Sequence, residues 1–245
     1  MSRRRTLGFD RKLELDWLDA AASVAAQDVG IALARKQLFA VLEGRVAGDS
    51  PHSGRGKTVT VLSRVWLNPG ATGMRARALE AFESATPGQR LAIHWAMCAA
   101  THPIFVDVAA TVGRLLRVQG EVALSQVTRR VAEGWGDRST LHRAVQRTCR
   151  SFVAWGALRD TKVRGIYEPS RDPMPVDGAV ARLLVEALLT GGPRAAAPLG
   201  ELVRHPAMFP FEIAVTGWEL RGAPEFRVDR EGLDMDVVGR AVAQP

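Results

Sequence analysis

ALSQVTRRVAEGWGDRSTLHRAVQRTCRSFVAWGALRDTKVRGIYE, residues 123–168, is the stretch on which the fold turns. Its opening, ALSQVTRRVAE, reads as a helix that stops at a Gly-Trp-Gly turn. A second helix is predicted from a cap at Asp137 or Ser139, whose short polar side chains can accept from the free amides of a first turn. Leu141, Val145, Cys149, Phe152 and Val153 recur every three or four residues and form its apolar face. Gly156 should end it, because glycine tolerates the left-handed conformation common just past a helix. ALRDT, the basic turn KVRG and IYE then have the proportions of a short hairpin. Helix, tight turn, helix and hairpin are the parts of a winged helix-turn-helix.

The chemistry lies in what the second helix leaves outside. Arg143, Arg147 and Arg150 are four and three residues apart and share one face. Arg138, Ser139 and Thr140 stand at the N-terminus, where backbone N–H groups and the helix dipole favour phosphate. Such a helix enters the major groove N-terminus first, and arginine is the usual reader of guanine. Lys162 and Arg164 in the wing are placed to hold the flanking backbone. Winged helices also serve as protein-interaction modules, and an arginine-rich face can simply be solvated, so both alternatives stay open.

Charge along the chain has the same polarity. The net charge of +7 divides into +3 over residues 1–60, +8 over 61–165 and −4 over 166–245. The basic middle predicts a polyanion partner, double-stranded DNA, and the acidic end predicts contacts with protein. A compositional explanation competes with this, since 29 of the 33 basic residues are arginine. No stretch approaches eighteen uninterrupted apolar residues, so no membrane span is expected. The N-terminal MSRRR is followed by LELDWLDAA, whose acids rule out a secretion signal of ordinary type. Cys98 and Cys149 have no paired spacing, which predicts a reducing, cytoplasmic setting.

HSGRGKTVTV, residues 52–61, resembles a phosphate-binding loop. Gly56, Lys57 and Thr58 fit that pattern, but the residue five before Gly56 is Pro51, which has no N–H to offer. No hydrophobic strand precedes it, so we expect a flexible basic loop over 47–57, followed by a helix capped near Thr58. Around it, residues 13–28, 31–46, 73–85, 87–102 and 104–118 read as helices, the fourth apolar nearly all round and therefore central. Beyond 169, PSRDPMPVDG reads as a linker, 177–190 as a helix, and EFRVDREGLDMDVVGR as a second hairpin. The expectation is a mainly α protein: a helical bundle over 1–119, a winged helix-turn-helix over 120–170, and a small C-terminal helix plus β-hairpin over 171–245.

His94, Cys98 and His102 share one helical stripe, but the outer two are about 12 Å apart along the axis and do not close a tetrahedron. Core packing is the better account of them. Asp107, Glu121, Glu133 and Asp137 show no nuclease spacing, and Trp135 and Trp155 read as core anchors. We therefore expect no enzyme, no metal and no cofactor.

The order of these features resembles the BrxA-like proteins of bacteriophage exclusion (BREX) defence systems. The likeness runs through SGRGKTVTVLSRVW, LAIHWAMCAATHPIFVDVAATVGRLL, GWGDRSTLHRAVQRTCRSFVAWGALRD and HPAMFPF. STLHRAV and WGAL are its most specific parts. The glycine-rich basic turn and the long acidic hairpin depart from the family pattern. The resemblance implies a non-catalytic protein that binds duplex DNA beside a methyltransferase, an ATPase and other defence subunits. It also implies that Arg55 and Lys57 make non-specific phosphate contacts from a mobile loop; the Arg3-Arg4-Arg5 arm is expected on its charge alone to add to them.

Overall fold

The computed structural model describes residues 7–68, 70, 72–192, 194–232 and 235–241, which leaves the Arg3-Arg4-Arg5 arm outside the described residues. The chain is mainly helical, with small sheets. Helices α1 (Leu15–Ala26), α2 (Ile31–Val41) and α3 (Gly54–Leu62) come first, and α3 runs into a π-helical turn, Ser63–Leu67. Then follow α4 (Thr72–Glu83), α5 (Pro87–Thr101) and α6 (Pro103–Gln119).

α5 is the axis of the molecule. Thr86 and Gln89 form a reciprocal capping box at its start, with Pro87 in the first turn, where its missing N–H costs nothing. Every residue from Leu91 to Ala99 is buried. Pro103 disfavours helical geometry at His102, so the axis breaks there and α6 leaves at 120° to α5.

After α6 come β1 (Val122–Ala123), α7 (Leu124–Trp135), α8 (Ser139–Ala154), β2 (Leu158–Asp160) and β3 (Ile166–Pro169). The three strands form an antiparallel sheet in the order β1-β3-β2, pairing Val122 with Tyr167 and Arg159 with Glu168. Gly156, at φ 68°, follows α8 as expected.

The remainder comprises β4 (Met174–Val176), α9 (Gly178–Gly191), β5 (Ala196–Pro198), α10 (Leu199–Val203), a 3-10 turn at Pro206–Met208, β6 (Phe211–Ile213), α11 (Gly217–Arg221), β7 (Phe226–Glu231) and β8 (Met235–Arg240). The hairpin expected near the end is β7–β8, and β5 adds a third strand beside β8. The supposed linker at 169–178 contains β4, which pairs in parallel with β6.

Buried residues on both sides of positions 119/120 and 170/171 belong to the same core. One buried apolar cluster runs from Phe9 to Val238. At its centre Trp95 of α5 meets Phe105 of α6, Phe152 and Trp155 of the α8 end, and Phe209 and Phe211, all with centroids within 5.9 Å. Its indole N–H donates to the Ala207 carbonyl at 3.0 Å. α9 lies against α4 and α5, and so completes the bundle from the far end of the chain.

Candidate nucleic-acid interface

α8 forms because Leu141, Ala144, Val145, Thr148, Cys149 and Phe152 all point inward at helical spacing. The other face keeps Arg138, Ser139, Thr140, His142, Arg143, Gln146 and Arg147 exposed. Arg138 occupies the cap position with no side-chain cap bond, one residue from either of the caps expected. Asp137 instead pairs with His142.

Two concave surfaces flank α8. On one side a cleft of about 680 Å³ is shared by Arg138, Arg143 and Arg147 with Lys57 and Arg64 from the α3 stretch and Arg11 from the N-terminal segment. Asp10 is its one carboxylate. On the other side a surface of about 810 Å³ is shared by His142, Arg143 and Gln146 with Thr128 and Arg129 of α7 and Arg164 of the β2–β3 turn, and Asp137, paired with His142, is its one carboxylate. Arg143 lines both, so α8 is a ridge with Arg143 at its crest. Lys162 is exposed in the same turn.

Two expected contacts belong elsewhere. Arg55 is only 8% exposed: its guanidinium pairs with Asp49 at 2.9 Å, lies 4.8 Å from the centre of the Phe39 ring, and its Nε donates to the Val46 carbonyl. It holds a folded turn together and does not reach outward from a mobile loop. Arg150 Nη1 donates to both carboxylate oxygens of Asp160 of β2, at 2.6 and 2.8 Å, so it fastens α8 to the hairpin. That bond is the first cause of a guanidinium pKa raised above its ordinary value.

The resemblance of residues 52–61 to a phosphate loop also resolves. The helix begins at Gly54, not near Thr58, with Ser53 as its cap. The amides that would cradle a phosphate are taken: Arg55 N–H donates to the Ala47 carbonyl, Gly56 N–H to Ser53 Oγ and Lys57 N–H to the Ser53 carbonyl. A Cβ on Gly56 would collide with the Pro51 carbonyl, so this glycine serves a close backbone crossing.

Lys57 remains outside, and with Thr60 and Arg64 it forms the stripe of the α3 stretch that faces α8. Arg11, Arg64 and Arg129 were missed from sequence. The seven-residue interval from Lys57 to Arg64, two helical turns, was the available signal.

Below the cleft, His102 is 1% exposed, and burial first, then the Arg64 charge, lower its pKa to about 3. His94 bonds through Nε2 to Asp19 Oδ1 at 3.0 Å, and burial lowers its pKa also. Burial raises the Cys98 thiol. These three residues go to separate surroundings, and no set of metal-ligating side chains gathers among the described residues. No single described helix is long and apolar enough to cross a membrane.

No protein-family model matches the chain, nor does any curated protein or solved structure.

Proposed function

We propose that the chain is a non-catalytic duplex-DNA-binding protein, and that α6 to β3 is a winged helix-turn-helix with α8 as its reading helix. The order helix, strand, helix, helix, hairpin and the sheet order β1-β3-β2 support this reading. The observation that carries it is the exposed ridge of Arg138, Arg143 and Arg147, none of which has a carboxylate partner among the described residues. A protein leaves such a ridge uncompensated at the expense of self-repulsion, which a polyanion relieves. Ser139 and Thr140 add hydroxyls at the positive end of the helix, and Lys162 and Arg164 lie where a wing meets the neighbouring backbone. The likeness to BrxA-like proteins favours a cytoplasmic role in phage defence, beside other subunits.

The test is fluorescence anisotropy of a labelled duplex at several salt concentrations. Binding should weaken steeply with salt and collapse in Arg143→Glu/Arg147→Glu. A flat titration at low salt overturns the reading, and metal-dependent cutting of plasmid overturns its non-catalytic part. A second reading, docking of a partner subunit, is favoured by Trp218, which is 80% exposed on α11. Loss of a defined co-purifying subunit in Trp218→Ala, with duplex binding intact, would assign that face.

A further inference from the structure

The reading above rests on α8 and the β2–β3 turn, and from the N-terminal bundle the sequence offered only non-specific phosphate contacts by Arg55 and Lys57. Yet Lys57 and Arg64 rise from the α3 stretch directly across the cleft from α8, exposed and without carboxylate partners among the described residues. Resting on that reading, we infer that this cleft is a phosphate channel. One strand's backbone runs between the α3 stripe and α8, while the other strand's backbone lies on the α7 and wing side. The N-terminal bundle is then part of the DNA-binding surface and sets the register of the duplex.

Three observations lead there. First, a helix about 10–12 Å across fills a major groove about 12 Å wide, so a groove-bound helix has one sugar-phosphate backbone on each side. α8 has one concave flank on each side, and each flank carries cations from another element: Lys57 and Arg64 on one, Arg129 and Arg164 on the other. Second, seven residues place Lys57 and Arg64 about 10 Å apart along the helix, far enough for each to meet a different phosphate of one strand.

Third, the segment before α1 lies against both walls, at α8 through Leu13 and at Arg64 through Gly8. The backbone of Leu13 is held by α8 twice: its N–H donates to Ser151 Oγ at 2.9 Å, and its carbonyl accepts from Trp155 Nε1 at 2.9 Å. Gly8 leaves the space into which the Arg64 guanidinium folds, which a Cβ there would occupy. A channel of set width forms its contacts without first ordering a loop.

The experiment compares wild type, Lys57→Gln/Arg64→Gln and the charge-keeping Lys57→Arg/Arg64→Lys, each titrated with a labelled duplex from low to high salt. Neutralisation should lower the slope of log K against log salt by about two and the affinity on the order of fiftyfold at 0.1 M salt. The charge-keeping pair should retain the slope. Methylphosphonate linkages, which are uncharged, placed singly along one strand should weaken wild type at two or three adjacent positions and leave the neutralised pair indifferent at those positions. An unchanged slope in the neutralised pair, beside a steep wild type that still depends on Arg143, overturns the channel and leaves the reading helix standing. Failure of wild type to bind any duplex at low salt overturns both. Both side chains are exposed, and an unchanged thermal midpoint verifies that each variant is folded.

Discussion

The protein has two arginine-rich faces, and they handle their charge in opposite ways. On the α4, α9 and C-terminal face, arginines meet carboxylates: Arg77 with Glu186 at 2.6 Å and Glu225 at 3.8 Å, Arg182 with Glu225, Arg194 with Glu201, Arg227 with Asp229, and Arg221 with Asp236. On the α3 and α8 face, Lys57, Arg64, Arg138, Arg143 and Arg147 meet none among the described residues. The contrast is one of degree, since Arg204 and Arg240 of the C-terminal part are exposed without a carboxylate partner among the described residues, and Arg11 and Arg150 beside α8 have one. The acidity of the C-terminal hairpin is largely answered from within, since Asp229 and Asp236 both have arginine partners. Pairing, and not arginine content, separates Arg77, Arg182, Arg194, Arg221 and Arg227 from the five cations on the α3 and α8 face.

The strongest way to break this contrast is to reverse charge on each face. Arg143→Glu/Arg147→Glu should weaken duplex binding by at least about a hundredfold at 0.1 M salt, whereas Arg194→Glu/Arg227→Glu should stay within about twofold. Equal losses in an anisotropy titration would erase the distinction. Next in size, Arg77→Ala leaves the Glu186 carboxylate, from a residue only 2% exposed, without its cation. The expected cost in urea unfolding is about 2 kcal/mol, below that of a fully buried pair because Arg77 is partly exposed, with the salt slope of DNA binding unchanged.

Acid sharpens the contrast differently, because one cation of the unpaired face acts on the core. His102 titrates near 6.5 when unfolded and at about 3 when folded, so the unfolded chain binds the extra proton between those values. The stabilisation is complete above pH 6.5 and is lost as pH falls towards 3, by at most about 1.4 kcal/mol per pH unit. His94 acts in the same sense. Urea midpoints at pH 7 and pH 5 should draw closer in His102→Gln, with His94 keeping part of the difference, and Arg64→Gln should narrow the window slightly. The smallest effect belongs to Arg150→Ala: about 0.5–1 kcal/mol of stability from a half-exposed pair, and an unaltered salt slope. A loss of affinity equal to that of Arg147→Ala would return Arg150 to the interface.

What could be read from sequence was what local signals encode. α5 announced itself by Pro87 and an apolar surface nearly all round, α8 by its inward stripe and Gly156, and the last hairpin by alternation about Gly232. What could not be read was set by partners distant in sequence. The start of α3 looked like a loop because Gly54 and Gly56 are poor helix formers, and only the crossing of Pro51 explains Gly56. β4 and β6 are short, flanked by prolines and paired across more than thirty residues, so neither shows a strand signature of its own. Arg55 and Arg147 have the same composition signal, and burial against Phe39 and Asp49 alone distinguishes them.

The double grip on Leu13 has a consequence for modularity. A fragment limited to residues 103–169 would strip Ser151 and Trp155 of their buried partner and remove Trp95 from between Phe105 and Phe152. The indole N–H would lose its acceptor, and several aromatic rings would turn from interior into surface. The segment carrying α8 is therefore not a portable cassette. Any lineage that borrowed this segment alone would have had to rebuild its floor, and recombination at this locus should preserve the chain from Leu13, ahead of α1, onward as one inherited block.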